Sequence, residues 1–199
     1  MENLMFLIFI APVLLFSVTI HEYAHGLAAQ ALGDPTPKLS GRMTLNPLKH
    51  IDPVGLLMLI LVRFGWAKPV PVNPSYFADP DKDMALVSLA GPFSNFAFAV
   101  VVSLVYKVIP VPAAGAGQFV SALFQYTIWI NLALGIFNLL PIPPLDGSRL
   151  IRAVLPYEAA SFMDSIEPYG FFILIFFLLF PGTSEIIMSI VNYFAAFLI

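Results

Sequence analysis

The sequence predicts an all-α polytopic membrane protein with about four to five transmembrane helices and a small β-rich, membrane-associated loop region on the cytoplasmic side. Hydrophobic residues make up 59% of the 199 residues, and charged residues only 11%. A soluble domain usually carries about 25% charged residues, so this chain has too little charge to cover a surface that faces water. Lipid is therefore the expected solvent for much of the chain.

Four apolar stretches are candidates for crossing the bilayer, which requires about 20 helical residues. They are residues 4–32, 84–109, 119–140 and a fourth that begins at residue 169 and breaks at the Pro-Gly pair 181–182. The first stretch is apolar up to Ile20 and then carries the pentapeptide HEYAH near its far end. The apolar tail, residues 185–199, either completes the fourth crossing or lies at the interface.

A loop between the first two stretches, residues 33–83, holds most of the basic residues: Lys38, Arg42, Lys49, Arg63, Lys68 and Lys82. By the positive-inside rule this loop is cytoplasmic, which places the N-terminus outside and HEYAH near the cytoplasmic face. Within the loop, residues 39–45 and 70–76 are predicted to be extended, since the prolines around Val70 bar a helix. Residues 53–62 are apolar but too short to span, which is typical of a re-entrant or interfacial segment.

The charge and cysteine counts exclude several classes of function. The net charge of −3 offers no basic surface for nucleic acid. The absence of cysteine excludes disulfides and thiolate metal sites, so any transition-metal site must use His, Asp or Glu. The length is enough for one domain or one compact helical bundle.

The pentapeptide HEYAH has the spacing of a helical metal site. On a helix, His21 and His25 lie one turn apart on the same face, so both imidazoles can reach one metal ion. Glu22 lies beside the first ligand and can act as a general base and acid without binding the metal. Ionisable side chains are costly inside a membrane segment, and a bound cation would compensate them. The alternative is a polar helix end that emerges into water.

A catalytic zinc ion usually has three protein ligands, so a third must come from a carboxylate or from His50. Asp146 is the only acidic residue between Asp83 and Glu158, and it lies in a proline-rich stretch, residues 138–147. Non-helical backbone at membrane depth is tolerated only where it is buried in protein or lines a wet cavity. Asp146 is therefore expected to point into a cavity as a ligand. Alternatively, it is the N-cap of a short helix after the third span.

Three motifs follow one another along the chain: HEYAH, then Gly91-Pro92-Phe-Ser-Asn95, then Asn138-x-x-Pro-x-Pro-Pro-Leu-Asp146-Gly147. In this order and in hydrophobic segments, they resemble the site-2 protease family of intramembrane zinc metallopeptidases. The resemblance covers residues 15–152 and is closest to the compact prokaryotic members, which lack PDZ and nucleotide-sensing domains. It implies one integral-membrane metallopeptidase domain over residues 1–199, with a core at 4–155 and a C-terminal membrane segment at 168–199.

The resemblance also implies the members of the catalytic centre. His21, His25 and Asp146 would bind one zinc ion per chain, and Glu22 would be the general base and acid. Asn138 lies where the family places a polar residue near the substrate or the oxyanion.

Two further residues have alternative interpretations. Asn95 matches the polar position of the second motif and is a candidate for substrate binding; the alternative is a helix-packing amide beside a Gly-Pro kink. His50 either donates to the oxyanion or approaches the site from the loop; the alternative is a solvated loop histidine.

The implied function is hydrolysis of peptide bonds within or near the transmembrane segments of membrane proteins, in regulated intramembrane proteolysis. The expected partners are substrates with a transmembrane helix and the lipid bilayer of a prokaryotic inner membrane; the oligomeric state is left open. Because a helix hides its amide bonds, the extended segments near Arg42 and Val70 are expected to pair with the substrate as an added strand.

Two other functions stay open at this point. One is a zinc-binding membrane protein without proteolytic activity, in which Glu22 would have no clear task. The other is a membrane zinc protease of another class, which would not predict the segment Pro-Pro-Leu-Asp146-Gly147.

Overall fold

The computed structural model describes residues 2–62, 65–112 and 114–199, and the side chains of all of these except residues 2–9 and 59–62. The described residues form helices joined by short loops. These helices are α1 (Glu2–Ala31), α2 (Thr36–Leu39), α3 (Pro53–Val62), α4 (Pro80–Val108), α5 (Ala116–Asn138), α6 (Asp146–Arg152), α7 (Tyr157–Ile166), α8 (Gly170–Leu179) and α9 (Thr183–Leu198). Single 3-10 turns lie at Pro47–Lys49, Pro74–Tyr76 and Glu167–Tyr169.

Helix α4 begins at a strong N-terminal signal. The Asp79 side chain accepts a hydrogen bond from the Lys82 backbone N–H, and Pro80 occupies the first helical position. Asp81 and Asp83 in the first turn favour the positive end of the helix dipole. The helix ends at Val108, just before a proline, and these local signals therefore define its 29 residues.

Helix α4 lies at the centre of the bundle, where it packs against α1, α5 and α6. Helix α9 packs against α5, and its contact with the pair α4–α5 is formed by a cluster of buried apolar side chains: Ala99, Ile128, Leu132, Ile187, Val191 and Ala195. Arg152 at the end of α6 pairs with Asp81 of α4 and, at 2.6 Å, with Asp164 of α7. The short helix α6 is thus attached to its neighbours on both sides.

The predicted β-rich loop region is wrong, because the described residues contain no strand. The extended backbone of the loop makes an isolated antiparallel bridge between Ile51 and Ala67 and no ladder. In the segment after Lys68, prolines remove ladder donors, and two of the remaining N–H groups bond to side chains. The N–H of Val70 donates to Glu22 and that of Asn73 donates to Asp34. These two N–H groups therefore bond to α1 and to the turn that follows it rather than to a partner strand.

The predicted number of spans also changes. Within the described residues, three helical segments are long and apolar enough to cross a membrane, namely Pro80–Val108, Ala116–Asn138 and Tyr157–Leu179, which is fewer than the four to five predicted. The predicted first span starts among residues whose side chains lie outside the described part of the chain. Helix α9 is a shorter apolar helix, separated from α8 by a turn in which Gly182 has a φ of +89°.

Candidate metal centre

His21, His25 and Asp146 come together where α1 meets the start of α6. The two Nε2 atoms lie 3.0 Å apart, and Oδ2 of Asp146 lies 3.1 Å from Nε2 of His21 and 3.3 Å from Nε2 of His25. Zinc bonds of about 2.0 Å at tetrahedral angles separate two ligand atoms by about 3.3 Å. The triangle formed by these three atoms therefore has the dimensions of one face of a zinc coordination tetrahedron.

The hydrogen bonds made by the two Nδ1 atoms determine the tautomer of each neutral imidazole, and so which nitrogen has a lone pair directed at this triangle. Nδ1 of His21 lies 2.7 Å from Oδ1 of Asn95, and Nδ1 of His25 lies 2.8 Å from the carbonyl oxygen of Val87. Both oxygens can only accept, so each Nδ1 carries a hydrogen and each neutral imidazole presents an unprotonated Nε2. Oδ2 of Asp146 is buried and receives no hydrogen bond from the described residues. Three lone-pair donors thus converge, and this donor set fits a zinc ion with one coordination position left open.

Gly91 of α4 provides the space for the two imidazoles. A Cβ atom built on Gly91 would lie 2.5 Å from both Cε1 and Nε2 of His25, and 2.6 Å from Cε1 of His21. These distances are well inside van der Waals contact, so no other residue type fits here without moving a ligand. The sequence singled out Gly91 only as part of a motif, and its steric role requires the packing of α4 on α1.

Asp146 occupies the first position of α6, and the N-cap residue is Leu145. Asp146 is therefore not the N-cap of this helix, which was the predicted alternative to a ligand. The chain folds back tightly between α5 and α6, since a Cβ on Gly147 would overlap the carbonyl oxygens of Leu139 and Leu140. This turn directs the Asp146 carboxylate towards α1.

The metal centre opens into a cavity of about 320 Å³, which Glu22, Asn138 and Arg149 also line. Oε2 of Glu22 accepts a hydrogen bond of 2.7 Å from the backbone N–H of Val70, which belongs to the proline-rich segment along the cavity wall. Nδ2 of Asn138 donates to the carbonyl oxygen of Leu134, 3.0 Å away. The cavity thus brings together five of the residues that the sequence predicted.

Asn95 does not line this cavity. Asn95 belongs to α4 and is fully buried where this helix packs against α1 and α5. Its contact with the metal centre is the hydrogen bond to His21. Its observed place is closer to the predicted helix-packing alternative, with the addition that it orients a candidate ligand. Substrate binding by Asn95 stays a prediction with no contact to support it.

His50 lies away from the metal centre and is not solvated, so neither of its predicted positions is found. Only 2% of its surface is exposed, and its Nε2 donates to the carbonyl oxygen of Thr44 at 2.9 Å. It lines a separate cavity of about 120 Å³, whose other walls include Leu14 and Leu15 of α1. Arg42 holds the loop in this arrangement by donating to the carbonyl oxygens of Lys49 and Lys68.

Three groups near the metal centre were not predicted from the sequence: the carbonyl of Val87, the side chain of Asn131 and the side chain of Ser17. Asn131 and Ser17 are fully buried and belong to the hydrogen-bond network behind His21. A polar residue within an apolar stretch is a signal that could have identified both. Nothing in the sequence distinguishes the carbonyl of Val87 from any other.

The chain is similar in sequence to known metalloproteases. The model of peptidase family M50 matches residues 108–181. YwhC of Bacillus subtilis (strain 168), whose name contains the words zinc metalloprotease, is 39% identical over 189 residues, which covers 90% of this chain and 84% of YwhC. This chain belongs to peptidase family M50. The predicted membership of the site-2 protease family is thereby confirmed.

Other relatives extend this result. Rip2 of Mycolicibacterium smegmatis, also named for zinc metalloprotease activity, is 30% identical over 189 residues, covering 92% of this chain and 71% of Rip2. The zinc metalloprotease MJ0392 of Methanocaldococcus jannaschii is 26% identical over 156 residues, covering 78% of this chain and 37% of MJ0392. No solved structure gives a significant match. Together with its long apolar helices, the family identifies this M50 chain as an integral membrane protein.

Proposed function

We propose that His21, His25 and Asp146 hold the zinc ion of an intramembrane metalloprotease and that Glu22 is its general base and acid. The observation that carries the proposal is the convergence of three ligand atoms, all within 4.8 Å of one another, beside Glu22 in one cavity. YwhC and Rip2 are both named as zinc metalloproteases. The chain, as a member of the same family, is a metalloprotease with zinc as its cofactor.

When bound, zinc supplies a Lewis acid that polarises the scissile carbonyl and lowers the pKa of the attacking water. Glu22 accepts the proton of that water and donates it to the leaving amine. The Val70 N–H engages one carboxylate oxygen of Glu22, which holds the side chain at the cavity wall and leaves the other oxygen for proton transfer. His21 and His25 keep their Nδ1 hydrogens in bonds to fixed oxygens, so neither takes part in proton transfer.

Asn138 is proposed to stabilise the oxyanion that forms on the substrate carbonyl. A side-chain amide has two N–H hydrogens, and the bond to the Leu134 carbonyl uses one of them. Because Asn138 lines the same cavity as the ligands, its second hydrogen is available to a developing negative charge, where such donors are most effective.

The proposed substrates are membrane proteins with a transmembrane helix, cleaved within or near that helix at the cytoplasmic side of a prokaryotic cell membrane. This orientation follows from the basic residues of the loop between α1 and α4 and puts the N-terminus outside. The proposed organisation is a single domain over residues 1–199, with the core at 4–155 and the C-terminal membrane segment at 168–199.

The decisive experiment separates metal binding from chemistry. The purified chain is expected to hold about one zinc ion, and Glu22→Gln is expected to retain it while losing cleavage of a membrane-spanning model substrate. The matched control is Glu185→Gln, which changes an exposed carboxylate in the first turn of α9 and should preserve both properties.

Retained zinc-dependent cleavage by the Glu22→Gln protein would refute the assignment of Glu22. A wild-type chain that binds zinc but cleaves no membrane-spanning substrate would instead favour a binding protein without proteolytic activity. Cleavage restricted to soluble peptides would favour a membrane protease of another class.

A further inference from the structure

Two buried asparagine amides connect His21 to helix α5. Nδ2 of Asn95 donates to Oδ1 of Asn131 at 2.9 Å and to the main-chain oxygen of Ser17 at 3.2 Å. Nδ2 of Asn131 in turn donates to the hydroxyl of Ser17 and to the main-chain oxygen of Thr127, both at 2.8 Å. Asn95, Asn131 and Ser17 are each 0% exposed, so water does not compete for these bonds.

The network permits only one orientation of the two amides. The main-chain oxygens of Ser17 and Thr127 can only accept, so the NH2 group of each asparagine must point at its carbonyl. If Asn95 were turned by 180°, its oxygen would face both the Ser17 carbonyl and Oδ1 of Asn131. If Asn131 were turned as well, its own oxygen would face the Thr127 carbonyl. Oδ1 of Asn95 is therefore held towards His21, which makes Nδ1 of His21 the donor, so that in the neutral imidazole Nε2 is the nitrogen with a lone pair for a metal.

The two ligand histidines differ in how they are oriented. His25 donates to the main-chain oxygen of Val87, which is part of α4 and cannot rotate. His21 donates to a side chain, and an amide side chain presents either a donor or an acceptor depending on its rotation. The His21 side of the centre therefore depends on the groups that hold the orientation of Asn95, and Oδ1 of Asn131 does this together with the Ser17 carbonyl.

We propose that Asn131 is a positioning residue for the zinc ligand His21, and that it acts through Asn95. The inference rests on the proposed function, because it assigns a task to Asn131 only if His21 binds zinc. Ser17 contributes twice, through its carbonyl to Asn95 and through its hydroxyl to Asn131. Since the carbonyl of Ser17 lies one helical turn before His21, the same contacts hold the turn of α1 that carries the ligand.

The expected effect is on metal affinity and on ligand geometry. Loss of a group that orients a metal ligand typically weakens metal binding by about 10- to 100-fold. Asn95→Ala, which removes the direct partner of His21, should lie in this range. Asn131→Ala should weaken zinc binding by about tenfold, and the double variant should bind no more weakly than Asn95→Ala alone, because both act through one path.

The experiment uses the full chain in detergent micelles and measures the zinc dissociation constant by competition with a chromophoric chelator. The d–d absorption spectrum after substitution with Co²⁺ reports the geometry of the ligands without any substrate. Asn131→Asp keeps the size and the Oδ1 acceptor but replaces the donor Nδ2 with oxygen. It should alter both readouts even if Asn131→Ala folds poorly.

Ser103→Ala is the matched control. Ser103 of α4 is 1% exposed, and its hydroxyl donates to the carbonyl of Leu198, which has no connection to His21. This variant loses a buried hydrogen bond and should keep the wild-type dissociation constant and Co²⁺ spectrum.

Three results would overturn the inference. One is a wild-type zinc affinity and Co²⁺ spectrum in both Asn131 variants. Another is a loss in the double variant equal to the product of the two single losses, which would mean independent structural effects. The third is an equal loss in Ser103→Ala. A wild-type chain that binds no zinc would overturn the proposed function and this inference together, whereas the first three results leave the proposed function intact.

Discussion

The helix pair α4–α5 packs against α1 on one side and against α9 on the other, and these two interfaces are built from different residue types. Towards α1 the fully buried side chains include Asn95, Asn131 and Ser17. Towards α9 they are mostly apolar, with Ile128 and Val191 at the centre, and Ser103, which donates to the Leu198 carbonyl, is a polar exception. Each buried amide towards α1 is fully hydrogen-bonded, which is the condition under which a polar group can be buried without a large cost.

In this bundle, one interface stabilises the packing of the helices and the other orients the metal ligands. The α9 interface contributes packing, and apolar side chains meet that need at no cost in desolvation. The α1 interface must hold two imidazoles with defined hydrogen positions, which requires directional bonds. Changes on the α1 side should therefore affect metal binding and activity, whereas changes on the α9 side should affect stability alone.

The largest effect, on zinc affinity, is expected from Gly91→Ala, which tests whether the α1 interface can accommodate a larger side chain beside the ligands. The new Cβ would meet the imidazoles of His21 and His25, and overpacking of this kind costs about 1–3 kcal/mol. Because the strain falls on the ligands, the zinc affinity measured by chelator competition should drop by about 10- to 100-fold.

Gly135→Ala is the control for this variant, because its Cβ would approach the ring of Phe96 at 2.5 Å. It should lower the stability but leave the zinc affinity unchanged. Equal losses of affinity in both glycine variants would contradict a specific role for Gly91.

A smaller effect, on catalysis rather than on binding, is expected from Val70→Pro. This substitution removes the N–H that holds Oε2 of Glu22, and misplacement of a catalytic group can lower the rate by about 10- to 100-fold. We expect a loss near the lower end, because the carboxylate stays in the cavity, together with an unchanged zinc content. The measurement is the cleavage rate of the membrane-spanning substrate at saturating zinc.

Val70→Ala keeps the backbone N–H and serves as the control. If Val70→Ala lost as much activity as Val70→Pro, the side chain of Val70 rather than its N–H would be responsible.

The smallest effect is expected on the α9 side, from Val191→Ala. Val191 is fully buried in the apolar cluster, and the loss of its two methyl groups should cost about 1–2 kcal/mol of unfolding free energy. Zinc affinity and the Co²⁺ spectrum should match the wild type, with stability followed by denaturant-dependent loss of helical structure. A change in the metal readouts would show that the two interfaces are coupled.

The sequence alone was sufficient for the parts of the centre that depend on local geometry. The spacing of His21 and His25 places them on one helical face wherever that helix lies, so their convergence followed from the 3.6-residue period. Asp146 is 121 positions beyond His25, by subtraction of their numbers. It was identified because an isolated carboxylate in a proline-broken apolar stretch has few structural alternatives.

The β-rich loop and His50 show where local patterns were insufficient. The prolines after Lys68 correctly excluded a helix, but they do not determine where the remaining N–H groups bond, and in the structure those of Val70 and Asn73 bond to Glu22 and Asp34. His50 is directed away from the metal centre by the loop contacts that Arg42 makes from a buried position. Both outcomes depend on partners that are distant in sequence.

The sequence by itself was enough to predict the family, its place in the membrane and a helical metal site. The patterns that indicated them are HEYAH, the prolines and the long apolar runs, and helical periodicity and hydropathy act over neighbouring residues. The tertiary structure decided which groups contact the ligand histidines. Gly91 leaves room for both imidazoles, the Val87 carbonyl accepts from His25, and Asn95, oriented by Asn131, accepts from His21. These assignments depend on where α4 and α5 cross α1. A crossing point is set by packing between residues far apart in the chain, and no pattern along the sequence specifies it.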